Sequence, residues 1–246
     1  MGKMHLIMPM AGGGTRFGNR GFNAPKPLIE LGGKPLFFWA VQSVAKFMPV
    51  EDIIFVVLRE HIDNFLIDKK ILSFYPDAVI KEIPGVLNGA VLTCLEGIKE
   101  INDDLPLLFN DCDHAFICNE LYSFADKGDF SEPDGALMTF NSDNPAYSYA
   151  QFDEYGILKK TVEKQVISDK AICGAYYFKN KDLFLRGSED YLNNCNYKEF
   201  FMSGIYNSLA ENNVIKSFRT DKHISFGTPK EYDEVCKNLG CLKDFL

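Results

Sequence analysis

Gly12, Gly13 and Gly14 follow a run of apolar residues, and Thr15 and Arg16 come directly after them. Further on, Lys26 stands between two prolines, Pro25 and Pro27. Glycines at the end of a strand let the backbone approach a ligand closely and adopt positive φ where needed. Successive N–H groups from such a loop form a concave site for anions, phosphates above all. Three loop mechanisms compete. A P-loop requires G-x-x-x-x-G-K-[ST], which the chain lacks. A dinucleotide fingerprint requires G-x-G-x-x-G opening a helix, whereas Gly12, Gly14 and Gly18 have the wrong spacing and Pro25 and Pro27 break the stretch that follows. The third is an extended loop wrapped around a triphosphate. Arg16 and a Lys26 stiffened by its prolines would be its fixed cations.

Two carboxylates form the second group. Asp111 and Asp113 follow the apolar run LPLLFN (105–110) as D-x-D. A strand alternates its faces, so side chains two apart can point the same way. Hard oxygen donors beside a phosphate site suit Mg2+ or Mn2+, and Mg2+ shares its coordination with waters and substrate phosphates. The bland readings are strand-end turn carboxylates and a solvated Arg–Lys loop. A glycine triplet joined to a rigid P-K-P favours the chemical one.

These residues need strands to carry them. HLIMPMA (5–11) reads as a buried strand and PLFFWAVQSVAKF (35–47) as a helix opened by Pro35. DIIFVVL (52–58), DAVIKEI (77–83) and LPLLFN (105–110) read as further strands, with helices expected over 60–72 and about 89–101. Strands alternating with helices imply a parallel sheet with right-handed crossovers. Ligands of such sheets sit beyond the carboxyl ends of the strands, so Gly12–Gly14 and Asp111–Asp113 should face one cleft. Later the rhythm changes. DGALMTF (134–140), a hairpin over 147–164 turning near Glu154–Gly156, and AICGAYYFKN (171–180) read as strands, and YKEFFMSGIYNSLAENN (197–213) as a helix. VIKSFRT (214–220) and HISFGTPKEYDEVCKNL (223–239) suggest a strand pair and a final helix opened by Pro229. The expectation is one α/β domain, 1–246, with a Rossmann-like, mixed but mostly parallel sheet flanked by helices.

The bulk properties agree with that class. The chain has 246 residues, 46% hydrophobic and 24% charged, which suits one domain with a sizeable core. A net charge of −8 argues against a general nucleic-acid surface and leaves room for one cationic cleft. No apolar run approaches the roughly 20 residues of a bilayer span, so no membrane insertion is expected. The first residues lack the charged start and long apolar middle of a signal peptide. Seven cysteines, scattered and without a CxxC pair, speak against a zinc site or disulfide framework and for a reducing cytoplasm. Nothing in the pattern specifies an oligomeric state.

AGGGTRFG, PKPLIELGGKPLFFWAV, FNDCDHAF, VEKQVIS, CGAYYFKN and FGTPKEY together resemble the nucleotidyltransferases that make nucleoside-diphosphate sugars and similar activated molecules. The resemblance covers nearly the whole chain, and the glycine loop with P-K-P is its most specific part. It implies the glycosyltransferase A-type fold and transfer of a nucleotidyl group from an NTP to a phosphorylated small-molecule acceptor, with pyrophosphate leaving. Residues 1 to about 130 would form the nucleotide-binding half and about 131–246 the acceptor-binding half. By resemblance, Met10, Ala11, Gly12, Gly13, Gly14 and Thr15 hold the nucleotide, and Asn88 and Gly89 line the base pocket. Arg16 holds the leaving β- and γ-phosphates, and Lys26 stabilises the α-phosphate transition state. Asp113 is implied as the metal ligand, with Asp111 its less regular companion. Glu163 and Lys164 match a Glu-Lys pair that contacts the acceptor, and His114 follows the metal motif, where an acceptor contact competes with a plain hydrogen-bonded histidine. The chain departs from the pattern at Ser225, where many relatives carry a second metal-binding Asp; Asp221, four residues earlier, is the expected substitute.

The compact length resembles the branch encoded in bacterial capsule and surface-polysaccharide clusters. Within it, the whole-chain likeness implies CTP as nucleotide and L-glutamine phosphate as acceptor, in capsule phosphoramidate synthesis. The residues themselves leave base and acceptor open, and a sugar 1-phosphate with CTP, UTP, dTTP or GTP is the alternative. Two other classes compete. A glycosyltransferase of the same fold would use D-x-D but has no need of the glycine loop. Retention of Arg16, Lys26 and Asp113 speaks against a catalytically silent nucleotide-binding regulator.

Overall fold

A computed structural model of the chain describes residues 2–246. The chain runs through β1 (His5–Pro9), the single-turn helix α1 (Thr15–Gly18), a short hairpin of β2 (Glu30–Leu31) and β3 (Lys34–Pro35), and α2 (Leu36–Ala45). It continues with β4 (Ile53–Leu58), α3 (Arg59–Phe65), α4 (Ile67–Phe74), β5 (Val79–Ile83), α5 (Ala90–Gly97), β6 (Leu107–Asn110), β7 (His114–Ile117) and α6 (Asn119–Lys127). Then follow β8 (Gly135–Asn141), β9 (Ser148–Phe152), β10 (Leu158–Glu163), β11 (Lys170–Phe178), α7 (Lys181–Asn194), α8 (Met202–Leu209), β12 (Ile215–Arg219), β13 (Lys222–Ser225) and α9 (Pro229–Lys237).

Nine strands form one mixed sheet. β6, β1, β4 and β5 lie side by side and parallel, with Leu6 opposite Ile53 and Leu108 across the two pairings of β1. β11 adds antiparallel to β6 and links this block to β8, β9, β10 and β12. Burial on both faces explains why the central strands are continuous apolar runs. In β4, Ile54, Val56 and Leu58 pack to one side and Phe55 and Val57 to the other. A third apolar cluster lies beneath the glycine loop, where Phe17 packs with Leu31, Trp39, Phe226 and Phe245. The C-terminal elements thereby brace the loop. α9 opens on a reciprocal cap, Thr228 accepting from the Glu231 N–H and Glu231 accepting from the Thr228 N–H.

Most expected elements are present, with shorter bounds. The helix expected over 60–72 is two helices broken at Leu66, whose φ is 52°. The helix expected over 197–213 starts only at Met202. β7, α6 and α7 answer to no expectation. β12 and β13 do not pair with each other, because β12 joins β8 and β13 joins β7. Among the described residues no helix is long and apolar enough to cross a membrane.

Candidate active site

β1 and β6 are adjacent parallel strands, so the residues that follow each emerge at the same edge of the sheet. A cleft of about 690 Å3 opens there. Met10, Ala11, Gly12, Gly13, Gly14, Thr15 and Arg16 line it together with Lys26, Asp111 and Asp113, while Asn88 and Gly89 lie on the segment before α5. No atom stands within 4 Å of where a side chain at Gly12 would begin, so the loop backbone there faces open space. The Lys26 ammonium pairs with Asp113 Oδ2. Burial works against the Lys26 charge, but Asp113 and its acidic neighbours outweigh it and hold the pKa above the ordinary lysine value. The same pairing overrides burial at Asp113 and keeps its carboxyl below the usual range.

Asp111 behaves differently. Burial and the Asp113 charge push its carboxyl up to about 7, Lys26 offsetting only part and Glu163 adding to the rise. Its N–H donates to the Gly174 carbonyl at 2.9 Å. Gly174 sits in an irregularity of β11, between Ile172 and Tyr176, with φ 92°. A Cβ there would lie 2.8 Å from Asp111 Oδ2 and 3.2 Å from His114 Nε2. Only glycine meets both demands of that position, space and a left-handed backbone.

Among the described residues no three His, Cys, Asp or Glu side chains gather around a point that could hold a metal ion. Two neighbouring carboxylates, one of them held unfavourably close to its like-charged partner, nevertheless fit Mg2+, which binds through one or two carboxylates and takes further oxygens from phosphate and water. Asp221 is a correction to the sequence reading. β13 places Lys222 opposite Ile117 and Ser225 opposite His114, so about 13 Å of extended chain separates Asp221 from Ser225. Asp221 lies at the far end, where its carboxylate accepts from the Asn119 N–H at 2.8 Å and neutralises the start of α6.

Glu163, Lys164 and His114 lie off the cleft lining. Glu163, at the end of β10, accepts from Ser148 Oγ and from Ser203 Oγ, so two elements fix its carboxylate. Lys164 follows in a left-handed conformation, φ 55°, with its ammonium 5.5 Å over the Phe201 ring. His114 is buried, and neither ring nitrogen has a hydrogen-bond partner. Sequence reasoning missed Thr93, Glu199 and Gly227, all on the lining. Gly227 was visible as part of FGTP, since a Cβ there would stand 2.6 Å from Asp113 Oδ2.

Two buried histidines contribute to the acid response. Burial drives His114 down to about 4 and His223, stacked 4.0 Å from Phe140, down to about 3. The unfolded chain binds protons at these positions below about pH 6.5 and the folded chain does not, so their contribution is fully present above that pH and is lost as pH falls toward 3. His223→Gln removes up to about 1.4 kcal/mol per pH unit of that slope. Melting temperatures between pH 7 and 5 should fall less steeply in the variant; parallel profiles would refute the assignment.

The chain has the α/β fold of the nucleotidyltransferases, a mixed sheet with a parallel centre flanked by helices. It superposes on the nucleoside-diphosphate-sugar pyrophosphorylase of Vibrio cholerae RC9 with a TM-score of 0.79 and 22% identity, over 95% of this chain and 100% of that one. The inositol-1-phosphate CTP transferase of T. maritima gives 0.79 and 16% identity, over 99% and 98% of the two chains. A UDP-glucose pyrophosphorylase in complex with UDP-glucose gives 0.76 and 19% identity, over 98% and 99%. No family model and no curated protein matches the sequence. At these identities the likeness establishes the fold.

Proposed function

We propose that the protein is a pyrophosphate-releasing nucleotidyltransferase that moves CMP from CTP to L-glutamine phosphate. The observation that carries the reaction class is the Lys26–Asp113 pair set beside an open glycine loop at the mouth of adjacent parallel strands. An oxygen of the acceptor phosphate attacks the α-phosphorus, the bond from that phosphorus to the bridging oxygen breaks, and pyrophosphate leaves. The attacking oxygen is already anionic, so no general base is needed. The loop from Met10 to Thr15 cradles the nucleotide, Arg16 takes the leaving phosphates, and Lys26 meets the charge that builds at the α-phosphate. Asp113 and Asp111 would hold Mg2+, which supplies charge neutralisation to the phosphates. Holding two mutually repelling phosphates in line is worth roughly 7–11 kcal/mol.

In this reading residues 1 to about 130 bind nucleotide and about 131–246 bind acceptor, where Glu163, held by two serines, and Lys164 would contact it. Seven free thiols suit a reducing compartment, so we assign the reaction to the cytoplasm. The likeness to a CTP transferase supports CTP, and the likeness to a structure holding UDP-glucose supports a second reading, a sugar 1-phosphate acceptor. A pyrophosphate-release screen with Mg2+ tests both, crossing the four ribonucleoside triphosphates and dTTP with sugar phosphates, polyol phosphates and L-glutamine phosphate. Release with CTP and L-glutamine phosphate is the expected result. Release with a sugar 1-phosphate alone replaces the acceptor, and nucleotide binding with no release under any pairing supports the regulator.

A further inference from the structure

The segment before α8 brings a carboxylate to the cleft that the proposed reaction leaves without a task. The Phe200 N–H donates to the Asn88 carbonyl and the Val91 N–H donates to the Phe200 carbonyl, each at 3.2 Å. Gly89 lies directly against the Phe200 backbone. These contacts hold the backbone next to Glu199 against Asn88 and Gly89, and Glu199 itself is exposed on the cleft lining. A carboxylate repels phosphates, so the triphosphate must run along the glycine loop toward Arg16 and Lys26. The nucleobase then turns toward Leu87–Gly89 and Glu199. Val86, 60% exposed at this lip, offers apolar surface to a ring face.

A carboxylate accepts hydrogen bonds and donates none. At the edge that distinguishes the pyrimidines, cytosine presents an amine and uracil and thymine a carbonyl oxygen. At position 4 an amine donates to a carboxylate, whereas a carbonyl oxygen leaves both groups without a donor between them. The preference therefore requires the carboxylate to face position 4 and not the N3–H that uracil and thymine carry beside it. We propose that Glu199 reads this edge of the nucleobase and selects the amine-bearing pyrimidine, cytosine, against uracil and thymine. The assignment rests on the reading of the cleft as a triphosphate site and adds the residue that sets its base preference.

Calorimetric titration of the full chain with CTP and with UTP, each with Mg2+, tests this without any acceptor. Wild type should favour CTP by about 10–100-fold. Glu199→Gln places an amide there, which donates as well as accepts, and should bring the two affinities within about threefold, chiefly by tightening UTP. Glu199→Ala should lose the preference by weakening CTP. The readout is a ratio within one protein, so partial loss of folded material cancels. An unchanged ratio in Glu199→Gln, or a wild-type preference for UTP, overturns the assignment while the nucleotidyltransferase reading stands. Binding of neither CTP nor UTP to wild type overturns the assignment and the choice of CTP with it.

Discussion

Lys26→Ala is expected to lower kcat by about 100–1,000-fold, the loss typical of removing one preorganised charge from a transition state. The prolines on either side stiffen the backbone at Lys26, and Asp113 holds its ammonium in the free protein. The cation is therefore already in the cleft when the nucleotide arrives and only changes partner, and that positioned charge is what the alanine removes. The fold should survive. Lys26 and Asp113 are 22% and 27% exposed, so solvent screens the carboxylate that loses its partner. Lys26→Arg should recover little, because a planar guanidinium cannot take the place of a compact ammonium between two prolines. The measurement is kcat for pyrophosphate release, read beside a melting curve. Turnover near wild type in a folded Lys26→Ala would remove Lys26 from the reaction.

Gly89→Ala should be the most damaging exchange outside the charged residues. Gly89 has φ 107° and ψ 165°, a region that side-chain-bearing residues essentially never enter. A Cβ there would collide with the Phe200 backbone. The alanine must therefore distort both its own backbone and the Asn88–Phe200 hydrogen bond beside it. A loss of about 3 kcal/mol or more is expected, roughly 6–12 °C in melting temperature for a chain of this size. Nucleotide affinity should fall with it. A variant that melts with wild type would show that the segment around Phe200 moves aside freely.

The glycine loop and the D-x-D motif were legible because each is local: a few adjacent residues state both the backbone requirement and the charge. The first-half alternation was legible for a related reason, since parallel strands buried on both faces must be continuous apolar runs. What was not legible depends on partners distant in sequence. The helical pattern of YKEFFMSGIY predicts a helix from 197, yet Phe200 gives its N–H and carbonyl to Asn88 and Val91, and the helix waits until Met202. That tertiary override is also what exposes Glu199 to the cleft. Asp221 misled because sequence proximity to Ser225 says nothing of direction. Along an extended strand, four residues lead away from the site and onto the start of α6. Ser148 and Ser203 could not be tied to Glu163 from sequence, because they arrive from two separate elements.

The Lys26–Asp113 pair gives the cleft a further property. In the free protein the Lys26 ammonium is already engaged by Asp113. A triphosphate arriving there displaces a neighbour, and its affinity measures the difference between the contact made and the contact surrendered. Added salt weakens both sides of that comparison. Under the proposed reaction Lys26 thus works as an ion exchanger, trading a carboxylate for a phosphate.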